Sequence, residues 1–391
     1  MDTLTPARFA TCVIVARPPI AAPSAESTLV SKYFDCAHCS REDGETVWEL
    51  TKTDPFVIEL DRRLGTGGVR MPTDPVARRE HVREADARAT ALMQIDAPDV
   101  ASEDHVVPVA DHPAVRVRVF WPWPAANRDE AVEPLPVLVY FFGGSFTMGG
   151  IDWAGWDAVY RARAADAGVI VVAGEYALAP EHRFPAQPEQ CWAVFEWVHA
   201  HVAGLGGDPN RIALGGASAG ANLAAAVALM NRDRNNRAVR LQILEVPVLD
   251  LTLRHVDPGA ISPLLPQRVV RRSGRQVVRD YLGPDPATRR DPYASPLLAA
   301  DLGGLPQTVI YTAEKDPLRG DGESYARALL DAGVPTTCVR YLGQTHGSGG
   351  YRRNTAAADH LHRDVVASLR AMREPAPTYP RAPSITQAAR S

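Results

Sequence analysis

The spacing of apolar residues changes near residue 106, from helical periodicity to an alternation of strands and helices. Apolar positions recur at helical spacing in FVIELDRRL and in the charged stretch REHVREADARATALMQI, so we expect two or three helices between Asp54 and about Ala101. Short, β-prone apolar runs follow, separated by amphipathic stretches. The predicted strands cover 114–121, 137–142, 169–173, 211–214, 241–246, 308–313 and 337–341. The predicted helices cover 160–167, 188–201, 219–230, 267–282, 324–332 and 356–372.

This alternation predicts an α/β fold, in which parallel strands joined by crossover helices form one doubly wound sheet. Residues 251–300 interrupt the alternation with Pro, Arg and one helix, which indicates an excursion above the sheet. We divide the chain into an irregular N-terminal extension (1–53), a helical segment (54–105), the main domain (106–373) and a flexible Pro-rich tail (374–391).

Composition narrows the classes of function. Hydrophobic residues make up 46% and charged residues 23% of the 391 residues, and the net charge is -4, without a basic footprint for nucleic acid. No apolar run reaches the roughly 18 residues that span a bilayer. The spacing of Cys36 and Cys39 resembles half a zinc site, but no second pair follows, so we expect no metal. An odd, scattered set of five cysteines indicates reduced thiols and a cytoplasmic protein. The absence of a basic footprint indicates a small molecule as its partner.

Ser218 lies in a motif that exposes a hydroxyl between a strand and a helix. Residues 216–220 read GASAG, which matches G-x-S-x-G with a predicted strand before it and a helix after it. Small neighbours allow a strained turn, and the amide of Ala219 at the helix N-terminus is placed to donate to a developing oxyanion. A plain glycine-rich turn is the alternative, so the motif needs partners.

A serine nucleophile needs a base that an acid orients, and in this architecture both follow the serine in the chain. Asp316 lies in the loop after the strand TVIYTA, and His346 lies in a glycine-rich loop after VRYL. Asp321 and Asp250 are rival acids: the first is expected near a helix start, and the second follows another strand. We favour Asp316.

The oxyanion requires a second donor from the loop after an earlier strand, and the stretch VYFFGGSFTMGG supplies a candidate. Gly143 and Gly144 allow the backbone to approach a ligand closely. A glycine-rich loop without a ligand is the alternative at this point.

From about residue 54 to 373 the chain resembles the bacterial esterases of the hormone-sensitive lipase family, which have the α/β-hydrolase fold. The resemblance rests on YFFGGSF, EYALAPEHRFPAQPEQ, GGASAGANLA, DPYASPL, AEKDPLRGDGESYARAL and THG, in the family's order. It implies a mostly parallel sheet flanked by helices, with 54–105 and part of 251–300 as a helical cap. It implies a catalytic triad of Ser218, Asp316 and His346, an oxyanion hole formed by the amides of Gly144, Ser145 and Ala219, and no cofactor.

The chain also departs from the family pattern. The family's oxyanion loop reads H-G-G-G, whereas Phe142 and Ser145 replace the histidine and the third glycine, a change expected to narrow the site. Ala217 stands where the family usually has an acid, which removes a local charge. The aromatic residues near this loop are candidates for a substrate pocket or for the core. They are Phe142, Phe146, Trp153 and Trp156.

The sequence therefore predicts a serine carboxylesterase that hydrolyses short-chain or compact esters through an acyl-enzyme. Two alternatives stay open: a deacetylase or amidase on a specialised metabolite, and a non-catalytic ligand-binding member of the fold. We find no long amphipathic lid in the sequence, so an interfacial lipase lacks support. The resemblance also allows a homodimer through an exposed edge strand.

Overall fold

An eight-stranded sheet organises the computed structural model, which describes residues 53–64, 71–95, 97–124, 133–260 and 267–375. The strands are β1 (Ser102–Val109), β2 (His112–Phe120), β3 (Leu135–Phe141), β4 (Ile170–Glu175), β5 (Gly207–Ala217), β6 (Leu241–Glu245), β7 (Thr308–Lys315) and β8 (Thr336–Thr345). The helices are α1 (Pro55–Leu64), α2 (Pro75–Leu92), α3 (Ala154–Ala167), α4 (Ala186–His201), α5 (Ala219–Arg234), α6 (Gln267–Leu282), α7 (Arg319–Asp331) and α8 (Ala356–Arg370).

The strand order is β1-β2-β4-β3-β5-β6-β7-β8, and the pairs from β4 to β8 are parallel. β2 runs antiparallel to β1 and β4, so the sheet is mostly and not wholly parallel. β1 was not expected, and it begins inside the segment predicted to be helical. Only Val107 of β1 is buried, so this edge strand carries no alternating apolar signal.

The core lies on both faces of the central strands. All seven residues of β3 are buried, as a strand covered by helices on both sides must be. α5 is buried continuously from Ala219 to Asn231, and its many alanines let it pack closely against the sheet. α5 follows the turn that carries Ser218, and β3 pairs with β5, the strand that precedes it. Buried elements therefore support that turn.

Three helices outside the sheet differ in how they attach. α1 buries Val57 and Leu60, whereas no residue of α2 is buried. α6 has the bounds expected from the sequence, and its Tyr281 is fully buried. Residues of α2 and α6 line a cavity of about 150 Å³ together with Thr147 and Met148, so both helices lie beside the loop after β3. The division into a cap and a main domain stays a prediction.

Most of the predicted extension and tail, together with Cys12, Cys36 and Cys39, lies outside the described residues. Within the described ranges, no helix combines the length and the apolar character that a bilayer crossing requires.

Candidate active site

The turn between β5 and α5 holds Ser218 in a conformation that few side-chain-bearing residues adopt. Its φ is 53° and its ψ is -115°, a conformation that costs on the order of 1–3 kcal/mol and persists only because the surroundings enforce it. The enforcement is backbone packing: a Cβ on Gly220 would lie 2.0 Å from the carbonyl oxygen of Phe141, and one on Gly216 would lie 2.3 Å from Gly220. The Ser218 amide donates to the carbonyl of Glu245 at 2.8 Å. The hydroxyl is therefore presented by a rigid elbow.

His346 and Asp316 reach this hydroxyl from the loops after β8 and β7. The Nε2 atom of His346 lies 2.8 Å from the Oγ of Ser218, and its Nδ1 lies 2.8 Å from the Oδ2 of Asp316. Asp316 is fully buried, and its Oδ1 accepts the amide of Leu318 at 2.8 Å. A carboxylate accepts only, so Nδ1 carries the proton and Nε2 is free to accept the serine proton.

The environment of His346 sets its protonation. Burial of the imidazole acts to lower its pKa, but the negative charge of Asp316 and the hydrogen bond to it outweigh that effect. The pKa of His346 is therefore raised above its usual value. A raised pKa makes the neutral imidazole a stronger base. It also means that, as the pH falls, the imidazole is protonated and stops acting as a base at a higher pH than an ordinary histidine would.

The two rival acids serve other contacts. Asp250 is paired with His255, 3.1 Å away, and accepts from the backbone and hydroxyl of Thr252. Asp321 lies in the first turn of α7, and its Oδ2 accepts the amides of Leu249 and Asp250 at 2.8 and 3.0 Å. The structure thus brings Asp316 to His346. Asp250 binds His255 and Thr252, and Asp321 binds two backbone amides. Burial raises the pKa of Asp321 to about 7.

The loop after β3 faces the elbow with a strained backbone. φ is +139° at Gly144, +55° at Ser145 and +62° at Phe146. A Cβ on Gly143 would lie 2.8 Å from the carbonyl oxygen of Ala217, so the loop and the elbow touch through their backbones. Among the hydrogen bonds of the described ranges, none uses the amides of Gly144, Ser145 or Ala219. These three amides are the donors that the resemblance assigned to an oxyanion hole.

Phe142 and Phe146 are buried, which favours the core over the substrate pocket for these two aromatic residues. The ring of Phe142 stacks on Tyr176 with centroids 4.2 Å apart, and that of Phe146 stacks on Tyr281 at 3.8 Å. Both residues are at most 1% exposed, so neither ring offers surface to a ligand. Their burial stabilises the loop after β3, because it removes the apolar surface of both rings from water.

The two tryptophans are only partly buried. Trp156 packs against Tyr140 and Tyr160 on the helical layer formed by α3. Trp153 immediately precedes α3 and lies close to Gly150, near the end of the oxyanion loop. Contact of either residue with a substrate stays a prediction.

A buried ion pair beneath the elbow was not anticipated. Ala217 is registered opposite Glu245 on β6, and Arg163 donates to both carboxylate oxygens of Glu245 at 2.7 and 2.8 Å. The hydroxyl of Tyr140 donates to the same carboxylate at 3.0 Å. A buried carboxylate therefore lies on the strand next to Ala217. Only the strand register reveals this, so the sequence offered no signal for it.

No group of three or more His, Cys, Asp and Glu side chains in the described part of the chain is arranged to hold a metal ion. Of the cysteines within it, Cys191 is buried and Cys338 exposed, and both are free thiols.

Comparison with known proteins assigns the chain to a family. Residues 138–349, more than half of the chain, match a family model described as alpha/beta hydrolase fold. The carboxylesterase NlhH of Mycobacterium tuberculosis is 37% identical over 70% of this chain and 84% of its own length. The carboxylic ester hydrolase LipN of the same organism is 36% identical over 78% and 77%. The hyperthermophilic esterase of Pyrobaculum calidifontis matches with a TM-score of 0.69 and 31% identity, over 82% of this chain and 99% of that one. The chain belongs to the hormone-sensitive lipase-like family of the α/β-hydrolase fold.

Proposed function

We propose that this protein is a serine carboxylesterase in which Ser218 is the nucleophile, His346 the base and Asp316 the orienting acid. The observation that carries the proposal is the unbroken chain of two 2.8 Å contacts from the Ser218 hydroxyl through the imidazole to a fully buried carboxylate. The amides of Gly144, Ser145 and Ala219, in the loop after β3 and at the start of α5, donate to no acceptor among the hydrogen bonds of the described ranges, which supports their role as oxyanion donors. The named activities of the relatives support the same reaction.

In the first half of the reaction, His346 Nε2 takes the Ser218 proton while Oγ attacks the carbonyl carbon of the ester. The carbonyl π electrons move onto oxygen, where the amides of Gly144, Ser145 and Ala219 stabilise the negative charge. Collapse of this intermediate breaks the carbon–oxygen bond to the alcohol. The imidazolium returns its proton to the departing alkoxide, which leaves an acyl-serine.

The second half repeats the sequence with water. His346 takes a proton from water as the oxygen attacks the acyl carbon, and the same amides stabilise the oxyanion. The Ser218 oxygen leaves and regains a proton from the imidazolium, and the carboxylic acid departs. Asp316 stays ionised throughout and compensates the imidazolium charge, so no cofactor enters either half.

The substrates we propose are short-chain or compact esters. The support is the departure from the family pattern in the loop after β3, where Phe142 and Ser145 stand in place of a histidine and a glycine and add bulk beside the elbow. A series of p-nitrophenyl esters from acetate to decanoate is expected to show kcat/KM falling steeply beyond a few carbons. Parallel assays with the matching anilides separate an esterase from an amidase.

The decisive variant is Ser218→Ala. Removing Oγ leaves no atom to form the acyl-enzyme, so we expect a loss of at least about 10⁴-fold in kcat on p-nitrophenyl acetate. A fluorophosphonate probe is expected to label the wild type and not the variant. Unchanged hydrolysis by Ser218→Ala would refute the proposal, and a wild type that is neither active nor labelled would favour a ligand-binding protein.

Two further features are proposals of the same kind. β8 forms one edge of the sheet, and its Leu342 is 72% exposed, which supports a homodimer formed through this strand. Sedimentation of the wild type against Leu342→Lys tests it. The free thiols of Cys191 and Cys338 support a cytoplasmic location, which cell fractionation tests.

A further inference from the structure

Helix α2 attaches to the rest of the molecule through polar contacts. None of its residues is buried, yet Arg79 and Asp86, seven residues apart and therefore on one face, both reach the segment after β3. The Oδ2 of Asp86 accepts the amide of Gly155 at 3.0 Å, and the Nε of Arg79 donates to the carbonyl of Thr147 at 2.7 Å. This face of α2 is thus specified by hydrogen bonds to the backbone of the oxyanion loop and its continuation.

Arg79 joins its own helix to two other segments of the chain, one at Thr147 and one at 179–181. Besides Thr147, its Nη2 donates to the carbonyl of Ala179 at 2.8 Å, and its two terminal nitrogens contact the carboxylate of Glu181 at 3.0 and 2.5 Å. Its side chain is only 20% exposed. A planar guanidinium with five fixed donors suits such a set of acceptors better than an ammonium does.

These contacts enclose the strained part of the oxyanion loop. The residues with positive φ, Gly144 to Phe146, end one position before the carbonyl that Arg79 holds. The Ala179 amide donates to the carbonyl of Phe146 at 2.9 Å, while the Ala179 carbonyl accepts from Arg79. Arg79 therefore closes a ring of hydrogen bonds at the C-terminal end of this turn, whose strained conformation depends on its surroundings.

We propose that Arg79 is a positioning residue for ester hydrolysis, which holds the Thr147 and Ala179 carbonyls so that the Gly144 and Ser145 amides point at the developing oxyanion. The inference rests on the proposed function, because it assigns those amides to the transition state. Arg79 itself touches neither the nucleophile nor the base. Its removal therefore weakens stabilisation of the transition state and leaves ground-state binding almost unchanged.

The test compares Arg79→Ala with the wild type on p-nitrophenyl acetate and with the fluorophosphonate probe. We expect kcat to fall about 10- to 100-fold, with KM within about threefold, because a misplaced donor forfeits part of its effect. The rate constant for labelling of Ser218 should fall in parallel, since the phosphoryl oxygen occupies the same site. Arg79→Lys should recover part of the loss, and Glu181→Gln, which leaves both carbonyl contacts intact, should cost less than Arg79→Ala.

Arg83→Ala is the matched control, because Arg83 lies on the same helix and its side chain, 52% exposed, pairs only with Glu80 among the contacts described. It should leave kcat, KM and labelling unchanged. A folded Arg79→Ala with wild-type kcat, or with a change in KM alone, overturns the inference, while loss of activity in Ser218→Ala still upholds the proposed function. A wild type without activity or labelling overturns both. Should Arg79→Ala not fold, Arg79→Met keeps the aliphatic part of the side chain without a donor, and wild-type kcat in Arg79→Met overturns the positioning role.

Discussion

The elbow that carries Ser218 and the oxyanion loop that faces it touch at Gly143, but different kinds of contact hold them. The elbow is held in place by close backbone packing between β5 and the fully buried start of α5. The loop is held by the stacked ring of Phe146 and by Arg79 from a helix without one buried residue. The proposed nucleophile is thus held by the core, and the amides proposed to stabilise the oxyanion are held by contacts nearer the surface.

The largest effect should come from the side that the core supports. Asp316→Asn removes the charge that orients and stabilises the imidazolium, so kcat is expected to fall about 10⁴-fold. The wild-type kcat/KM should rise with pH through a pKa above the usual histidine value, because Asp316 raises that of His346. In the variant this acid limb should move to lower pH. A stopped-flow pH profile measures both, and an unmoved limb would show that another group titrates.

A smaller effect is expected from the loop. Gly144→Ala would place a Cβ 2.0 Å from the carbonyl oxygen of Met148, at a φ of +139°. The loop must shift, and kcat should fall about 10²- to 10³-fold, which is the effect of losing one oxyanion donor. Gly333→Ala is the control, since its φ is also positive and nothing lies within 4 Å of its Cβ. Equal activity of the two variants would contradict a steric role for Gly144.

The smallest change in activity is expected at Asp321, where the effect falls on stability. Its pKa is raised to about 7, against 3.8 for an unburied carboxyl, so the folded protein binds a proton that the unfolded chain releases between those values. Stability therefore falls as pH rises through this window. Asp321→Asn should be more stable than the wild type by about 2–4 kcal/mol at pH 8, with the difference vanishing near pH 4. Denaturant titration at the two pH values measures it, and a constant difference would contradict the assignment.

The sequence predicted the parts of this molecule that are locally encoded. The bounds of α6, the buried parallel strands and the order of Ser218, Asp316 and His346 could all be derived from periodicity and motif spacing. β1 could not, because an edge strand with one buried residue has no apolar pattern. Its antiparallel pairing with β2 was missed for the same reason.

Contacts between distant residues account for the rest. Arg79 stands among many charged residues of a solvated helix, and its acceptors lie 68 to 102 positions away in the chain. The position of Glu245 beside the elbow follows only from its register opposite Ala217, which the sequence does not show. The partners of Phe142 and Phe146, which make them core residues, are likewise set by folding and not by spacing.

The crossing of β5 and α5 has a consequence for how such an enzyme diversifies. Since Gly216 and Gly220 leave no room for even one methyl group, substitution of either glycine disrupts the turn that holds Ser218. Core residues that pack against the loop after β3, such as Phe146 and Tyr281, can be exchanged for other pairs of similar volume. The packing behind the loop after β3 can therefore vary during evolution, whereas the turn that carries Ser218 cannot.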